Sequence, residues 1–92
     1  MKTTVQVLQE ARGLILDHAN WGRGKYVDGE KICASEALRR AYDDSTREYL
    51  DSDGYNLLKQ VMGDVTVCHF NDTHTHAEVI YAFDRAIAGF EG

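Results

Sequence analysis

Ninety-two residues carrying a formal net charge of −5 and two cysteines have room for one small core, because a chain of this size hides only about 60–65% of the surface its unfolded form exposes. The longest apolar runs, such as Gly13-Leu14-Ile15-Leu16, fall far short of a membrane span, no basic stretch followed by an apolar run opens the chain, and two cysteines are too few for a disulfide framework. The composition predicts a soluble, cytoplasmic single domain over residues 1–92, with one bridge between Cys33 and Cys68 left open.

Thr3-Thr4-Val5-Gln6 has the form of a capping box, in which the threonine side chain accepts from the first helical turn and the glutamine reaches back. A helix is predicted from there, since Val5, Leu8, Ala11, Ile15 and Ala19 recur at helical spacing and Val7 with Leu14 widens the stripe. Gly13 interrupts it at a cost of about 1 kcal/mol relative to alanine, which points to a close approach by another helix or by Trp21. Asn20 and Gly22 supply the exit. Tyr26-Val27-Asp28-Gly29-Glu30-Lys31-Ile32 then reads as extended, Asp-Gly turn, extended, the pattern of a short hairpin. The other extended candidate is Val65-Thr66-Val67-Cys68-His69-Phe70, where β-branched residues cluster.

Between these, Ile32, Ala34 or Ser35, Leu38, Ala41 and Tyr42 share one side of a second helix. Its other side carries Glu36 with Arg40, Arg39 with Asp43 and Arg40 with Asp44, each four apart, and reads as a solvated charged face. Ser45-Thr46-Arg47-Glu48 repeats the capping box. Asp53 is the expected N-cap of a helix over Tyr55–Met62, with Leu57, Leu58, Val61 and Met62 as its buried stripe and Gly63 as its stop. Thr75-His76-Ala77-Glu78 is a third capping box, after which Val79, Ile80, Phe83, Ile87 and Phe90 form one apolar face. The expected fold is mainly α, a compact bundle of about four helices, with a short β-hairpin or two-strand element as the alternative to an ordered loop wrapped on them.

Leu8, Ala11-Arg12, Trp21, Asp28-Gly29, Cys33, Ala37-Leu38, Arg40-Ala41, Asn71-Asp72, Glu78-Val79 and Phe83-Asp84-Arg85-Ala86 together resemble a domain-of-unknown-function family of small actinobacterial and mycobacteriophage proteins. The resemblance covers most of the chain and brings no activity with it. It implies a small cytosolic, phage-encoded protein in which Trp21 and the Asn71-Asp72 pair are either structural fixtures or the rim of a site.

Candidate chemistry gathers between residues 68 and 78. Cys68, His69, His74 and His76 offer the sulfur and nitrogen that zinc prefers. Their spacing argues against a metal centre: His74 and His76 face one ion only in an extended segment, just where a helix starts, and adjacent Cys68 and His69 point opposite ways in a strand. For Asn71-Asp72 the expected role is a local turn, its side chains accepting from backbone N–H groups two residues on. The sharper alternative, a small metal-dependent or cysteine/histidine hydrolase, makes Asp72 a general base beside His74 or His76, with Cys68 or Cys33 as nucleophile. No oxyanion stabiliser, cofactor loop or spaced second carboxylate accompanies it, so neither a catalytic residue nor a cofactor is assigned.

Charge bears on partners. Residues 1–46 balance seven Lys/Arg against seven acids, whereas residues 47–92 hold three bases and eight acids. A duplex binder draws most of its affinity from phosphate neutralisation, so nucleic acid is disfavoured; a DNA-binding helix pair would need Arg39, Arg40 and Arg47 free of acidic neighbours. Trp21, Tyr26, Tyr42, Tyr49, Tyr55 and Tyr81 are many aromatics for one small core, and tryptophan and tyrosine are common interface anchors. A protein partner or self-association is therefore the leading expectation, through an aromatic and acidic surface, with Trp21, Tyr26, Asn71, Asp72, His74 and His76 as candidate binding residues and no membrane contact.

Overall fold

A computed structural model describes residues 2–24, 27–43 and 48–91. Helix α1 spans Thr4–Ile15 and opens on the expected capping box: Thr3 Oγ1 accepts from the Gln6 amide at 3.1 Å, and Gln6 Oε1 accepts from the Thr3 amide at 2.8 Å. Two of the four amides that a helix start leaves without partners are thereby satisfied. Val7, Leu8, Ala11 and Ile15 are buried, while Leu14 and Ala19 are exposed, so the stripe is narrower than expected and ends with the helix. An added Cβ at Gly13 would meet nothing within 4 Å. The expected close approach does not occur there. One does occur at Gly54, whose amide donates to the Tyr42 hydroxyl at 3.1 Å and where a Cβ would stand 2.6 Å from that oxygen.

Beyond α1, the Asp17 carboxylate accepts from the Ala19 amide at 2.9 Å and starts a 3-10 turn at His18–Asn20. Strands β1 (Val27–Asp28) and β2 (Lys31–Ile32) pair antiparallel, Val27 opposite Ile32 and Asp28 opposite Lys31. Gly29 takes φ +64° in the turn, a conformation that costs glycine nothing. Trp21 forms an isolated parallel bridge with Ile32, and Gly22 donates to the Ile32 carbonyl at 3.1 Å. The hairpin is thus held by the segment that leaves the 3-10 turn.

Helix α2 (Ala34–Ala41) buries Ala34 through Leu38 and Ala41. Its charged side departs from the solvated face expected: the Glu36 side chain is only 7% exposed and takes hydrogen bonds from both Arg39 and Arg40. Two guanidinium groups offset the desolvation of that carboxylate. The Arg40–Asp44 pairing, residues 45–47 of the second capping box, Tyr26 and the Phe90 side chain lie outside the described residues.

A 3-10 turn at Glu48–Asp51 buries Tyr49, whose hydroxyl meets Ser35 Oγ at 2.9 Å. Helix α3 (Asp53–Val61) is capped by Ser52 rather than Asp53, Ser52 Oγ accepting from the Tyr55 amide at 3.2 Å, and it ends before Gly63 at φ +86°. The stretch read as an extended candidate is helical instead. Thr66 Oγ1 accepts from the His69 amide at 3.2 Å and launches α4 (Val67–Thr73), while Val67 is fully buried and donates to the Tyr55 hydroxyl at 3.4 Å. Capping and burial outweigh β propensity, which is a weak and context-dependent preference.

Helix α5 (His76–Glu91) starts on the predicted box, Thr75 Oγ1 accepting from the Glu78 amide and Glu78 Oε1 from the Thr75 amide. It packs against α1 and α3, and α1 packs against α2. Phe83, Leu8, Ile15, Leu38 and Leu58 are fully buried between them, each such side chain contributing roughly 1.5–3 kcal/mol. The fold is mainly α with a short hairpin, and α4 is the helix beyond the four expected.

Candidate functional site

Asn71 lies in α4, four residues after Val67, so helical phase turns both into the core. Its Oδ1 accepts from Trp21 Nε1 at 2.7 Å and from the Ala34 amide at 3.0 Å, and its Nδ2 donates to the Gly22 carbonyl at 2.9 Å. One fully buried side chain thereby joins the loop after the 3-10 turn, the start of α2 and α4. Asp72, next along the helix, is exposed and accepts from the Gly24 amide at 2.8 Å. The expected local turn is corrected on both counts. These side chains sit inside a helix and satisfy backbone groups 37 to 49 residues earlier in the chain, which no i to i+2 pattern can reveal.

Around Trp21 stand three groups, two of them not singled out from sequence. His18 meets the indole edge-on at 5.7 Å between ring centroids, His76 lies at 5.3 Å from it, and the Arg23 guanidinium sits 5.5 Å from its centroid. The two imidazoles are 5.0 Å apart. His76 Nε2 donates to the Ile15 carbonyl at 2.7 Å, one of the acceptors that the end of α1 leaves open. His18 precedes Trp21 by three residues, the spacing of one 3-10 turn, which was the available sequence signal. Arg23 had none beyond proximity in the chain.

His74 turns elsewhere. It stacks on Phe70 at 3.6 Å, and its Nδ1 meets the Phe70 carbonyl at 2.9 Å and Thr73 Oγ1 at 3.0 Å. It touches the rim through its own carbonyl, 3.5 Å from Arg23 Nη1. The structure thus brings Trp21, Asn71 and His76 together and anchors Asp72 beside them, whereas the imidazole of His74 belongs to the turn between α4 and α5.

Neither sharper chemistry finds its geometry. Cys68, His74 and His76 each go to a different partner, and among the described residues no group of three or more His, Cys, Asp and Glu is placed to hold a metal ion. The Asp72 carboxylate is engaged by a backbone amide. Cys33 caps α2 by accepting from the Glu36 amide at 3.4 Å, and a hydrogen bond with the Cys68 thiol, then burial, push its own thiol well above the usual range. A nucleophile requires the opposite shift.

Trp21 and Ala34, the residue after Cys33, thus meet at the buried amide of Asn71. A model of a family of unknown function, DUF6197, matches residues 1–89. The chain belongs to that family. No curated protein and no solved structure matches it. Within this DUF6197 protein, a recess of about 800 Å³ lined by Lys2, Gln6, Val7, Glu10, Ala41, Tyr42 and Asp43 lies apart from the Trp21 cluster and contains none of the predicted site residues. Its one lysine is spent on Glu10 and the Ala41 carbonyl. The expectation that the aromatics exceed the core is only partly met: Trp21, Tyr49 and Tyr55 are buried, Tyr42 is half-buried, and Tyr81 is exposed.

Proposed function

We propose that this DUF6197 protein is a protein-binding accessory or regulatory module, and that the rim formed by His18, Arg23, Asp72 and His76 around Trp21, with the His74 carbonyl at its edge, is its contact surface. The observation that carries the reading is the packing of two imidazoles and one guanidinium against a single indole at 5.3–5.7 Å. Asp72 and His76 are tied to backbone groups, so the rim is ordered before any partner arrives. Each side chain already immobilised spares an association about 0.5–1.5 kcal/mol. Arginine beside tryptophan is also the composition in which interface energy concentrates. The fitting partner presents a carboxylate to Arg23 and apolar surface to His18. The working compartment we assign is the cytoplasm, that of the host if the chain is phage-borne. A count of two cysteines, too few for a disulfide framework, supports that assignment.

Capture from a lysate of the encoding organism with the full chain as bait tests this, run beside an Arg23→Glu, His18→Ala double variant and a Tyr81→Ala variant on the outer side of α5. A stoichiometric partner held by wild type and Tyr81→Ala but lost from the rim variant is the expected result. Retention by the rim variant, or no stoichiometric partner together with a concentration-independent monomer in sedimentation, overturns the reading.

A further inference from the structure

The recess of about 800 Å³ lies where α1 passes the C-terminal end of α2. Glu10 and Asp43 bring two carboxylates to it, Val7 is buried at its floor, and the Tyr42 ring is held in place because its hydroxyl accepts from the Gly54 amide. At the end of α2 the Leu38 carbonyl accepts from the Tyr42 amide and the Arg40 carbonyl from the Asp43 amide. The Ala41 carbonyl is left for a donor from outside the helix, and that donor is an ammonium: Lys2 Nζ donates to it at 2.8 Å and to Glu10 Oε2 at 2.6 Å. A helix C-terminus and a carboxylate both favour a cation at that point. Lys2 does not exhaust the recess. Its side chain is 42% exposed and free to turn out into water, and the space is many times larger than one ammonium. Among the described residues Asp43 makes no ion pair, since Arg39, four residues before it, is bonded to Glu36. No three of His, Cys, Asp and Glu among the described residues are placed to hold a metal ion, so the fit is to an organic cation with an apolar body.

We propose that this recess binds a linear aliphatic polyamine of the putrescine and spermidine class. One ammonium takes the seat of Lys2 between Glu10 and the Ala41 carbonyl, a second pairs with Asp43, and the methylenes between them lie on Val7 and the Tyr42 ring. The aromatic face adds a cation–π attraction to the apolar contact. Lys2 is the internal competitor of the ligand: binding exchanges one ammonium for another and releases the lysine to solvent. The exchange keeps the affinity modest and gives the site a signature that general attraction to an acidic surface lacks, because removing a positive charge of the protein elsewhere does not vacate a seat.

Isothermal titration of the full chain with putrescine and with spermidine at low ionic strength, beside thermal melts, tests this. The expected result is one saturable site and a Tm that rises with polyamine concentration. Lys2→Ala should bind about two- to fivefold more tightly, while Glu10→Gln and Asp43→Asn should each bind about two- to fivefold more weakly, the size of one half-exposed ion pair. Glu30→Gln, at an exposed acid of the hairpin turn, should change nothing. Glu10 is exposed, and asparagine tolerates the φ of +56° at position 43, so these variants keep the fold. The proposal is overturned if neither polyamine binds wild type or Lys2→Ala at millimolar concentration, if magnesium chloride raises Tm as much as putrescine does, if Lys2→Ala weakens binding, or if Glu30→Gln costs as much as Glu10→Gln. It is also overturned if Nα-acetyl-lysine methylamide binds more tightly than putrescine, a result that would give the recess to a lysine of a partner protein.

Discussion

Replacing Asn71 by alanine removes three hydrogen bonds at once: those from Trp21 Nε1 and the Ala34 amide, and that to the Gly22 carbonyl. The first two donors lie in buried surroundings and meet no other acceptor among the described residues, and a buried polar group left without a partner costs about 1–3 kcal/mol. The Gly22 end is only half-buried and recovers part of its loss from water. Adding the small void left by the amide, the expected destabilisation is about 3–5 kcal/mol. Against a total of roughly 5–14 kcal/mol for a chain this long, the variant stays folded but marginal, with Tm lower by roughly 12–40 °C. Urea unfolding followed by far-ultraviolet circular dichroism measures this, and a cycle with Trp21→Phe isolates the indole bond. Once Asn71 is gone, exchanging tryptophan for phenylalanine deletes an orphaned donor, so it should cost about 1–2 kcal/mol less than in wild type. A loss below about 1 kcal/mol for Asn71→Ala, or a cycle additive within about 0.5 kcal/mol, refutes the account of Asn71 as the joint of the fold.

Two glycines test backbone conformation with one substitution. Gly13→Ala places a methyl in open space on a helix and should stabilise by about 0.5–1 kcal/mol, whereas Gly63→Ala, also in open space but at φ +86°, should destabilise by about 1 kcal/mol; the same sign for both in thermal melts would be wrong. Glu36 is held below its ordinary value of 4.5, first by the Arg39 hydrogen bond and then, against the opposing effect of burial, by Arg40. A carboxyl depressed in the folded state contributes stability that is present above its unfolded pKa and lost as pH falls through the folded one. Stability should therefore decline on acidification below about 4.5, and Glu36→Gln should flatten that slope; an unchanged slope removes Glu36 as its source. Thr75→Ala breaks the capping box of α5 and should cost about 1 kcal/mol in urea, with a neutral outcome arguing that α5 is held by its packing alone.

Helix starts at Thr3 and Thr75, the stop at Gly63 and the Asp28-Gly29 turn were readable from the chain because each depends on groups within four residues of one another. The core stripes of α1, α3 and α5 were readable for a similar reason: apolar spacing states which face must leave water. Where two local signals competed, sequence alone could not arbitrate. Val65 to Phe70 carries both β-branched residues and a Thr66 cap, and the choice fell to the helix once Val67 was buried and bonded to the Tyr55 hydroxyl.

Sequence by itself determined a small acidic chain, mainly helical, whose terminal helix begins at Thr75 and whose striking polar residues cluster near it; short-range hydrogen bonding and periodic hydrophobicity suffice for that. Tertiary structure alone decided that Asn71 ties Trp21 to Ala34, that Glu36 goes inward under two arginines, and that His18 and Arg23 stand against Trp21. The Asn71 hydrogen bonds span 37–50 positions of the chain, and their energy comes from satisfying polar groups that only become buried when the helices pack.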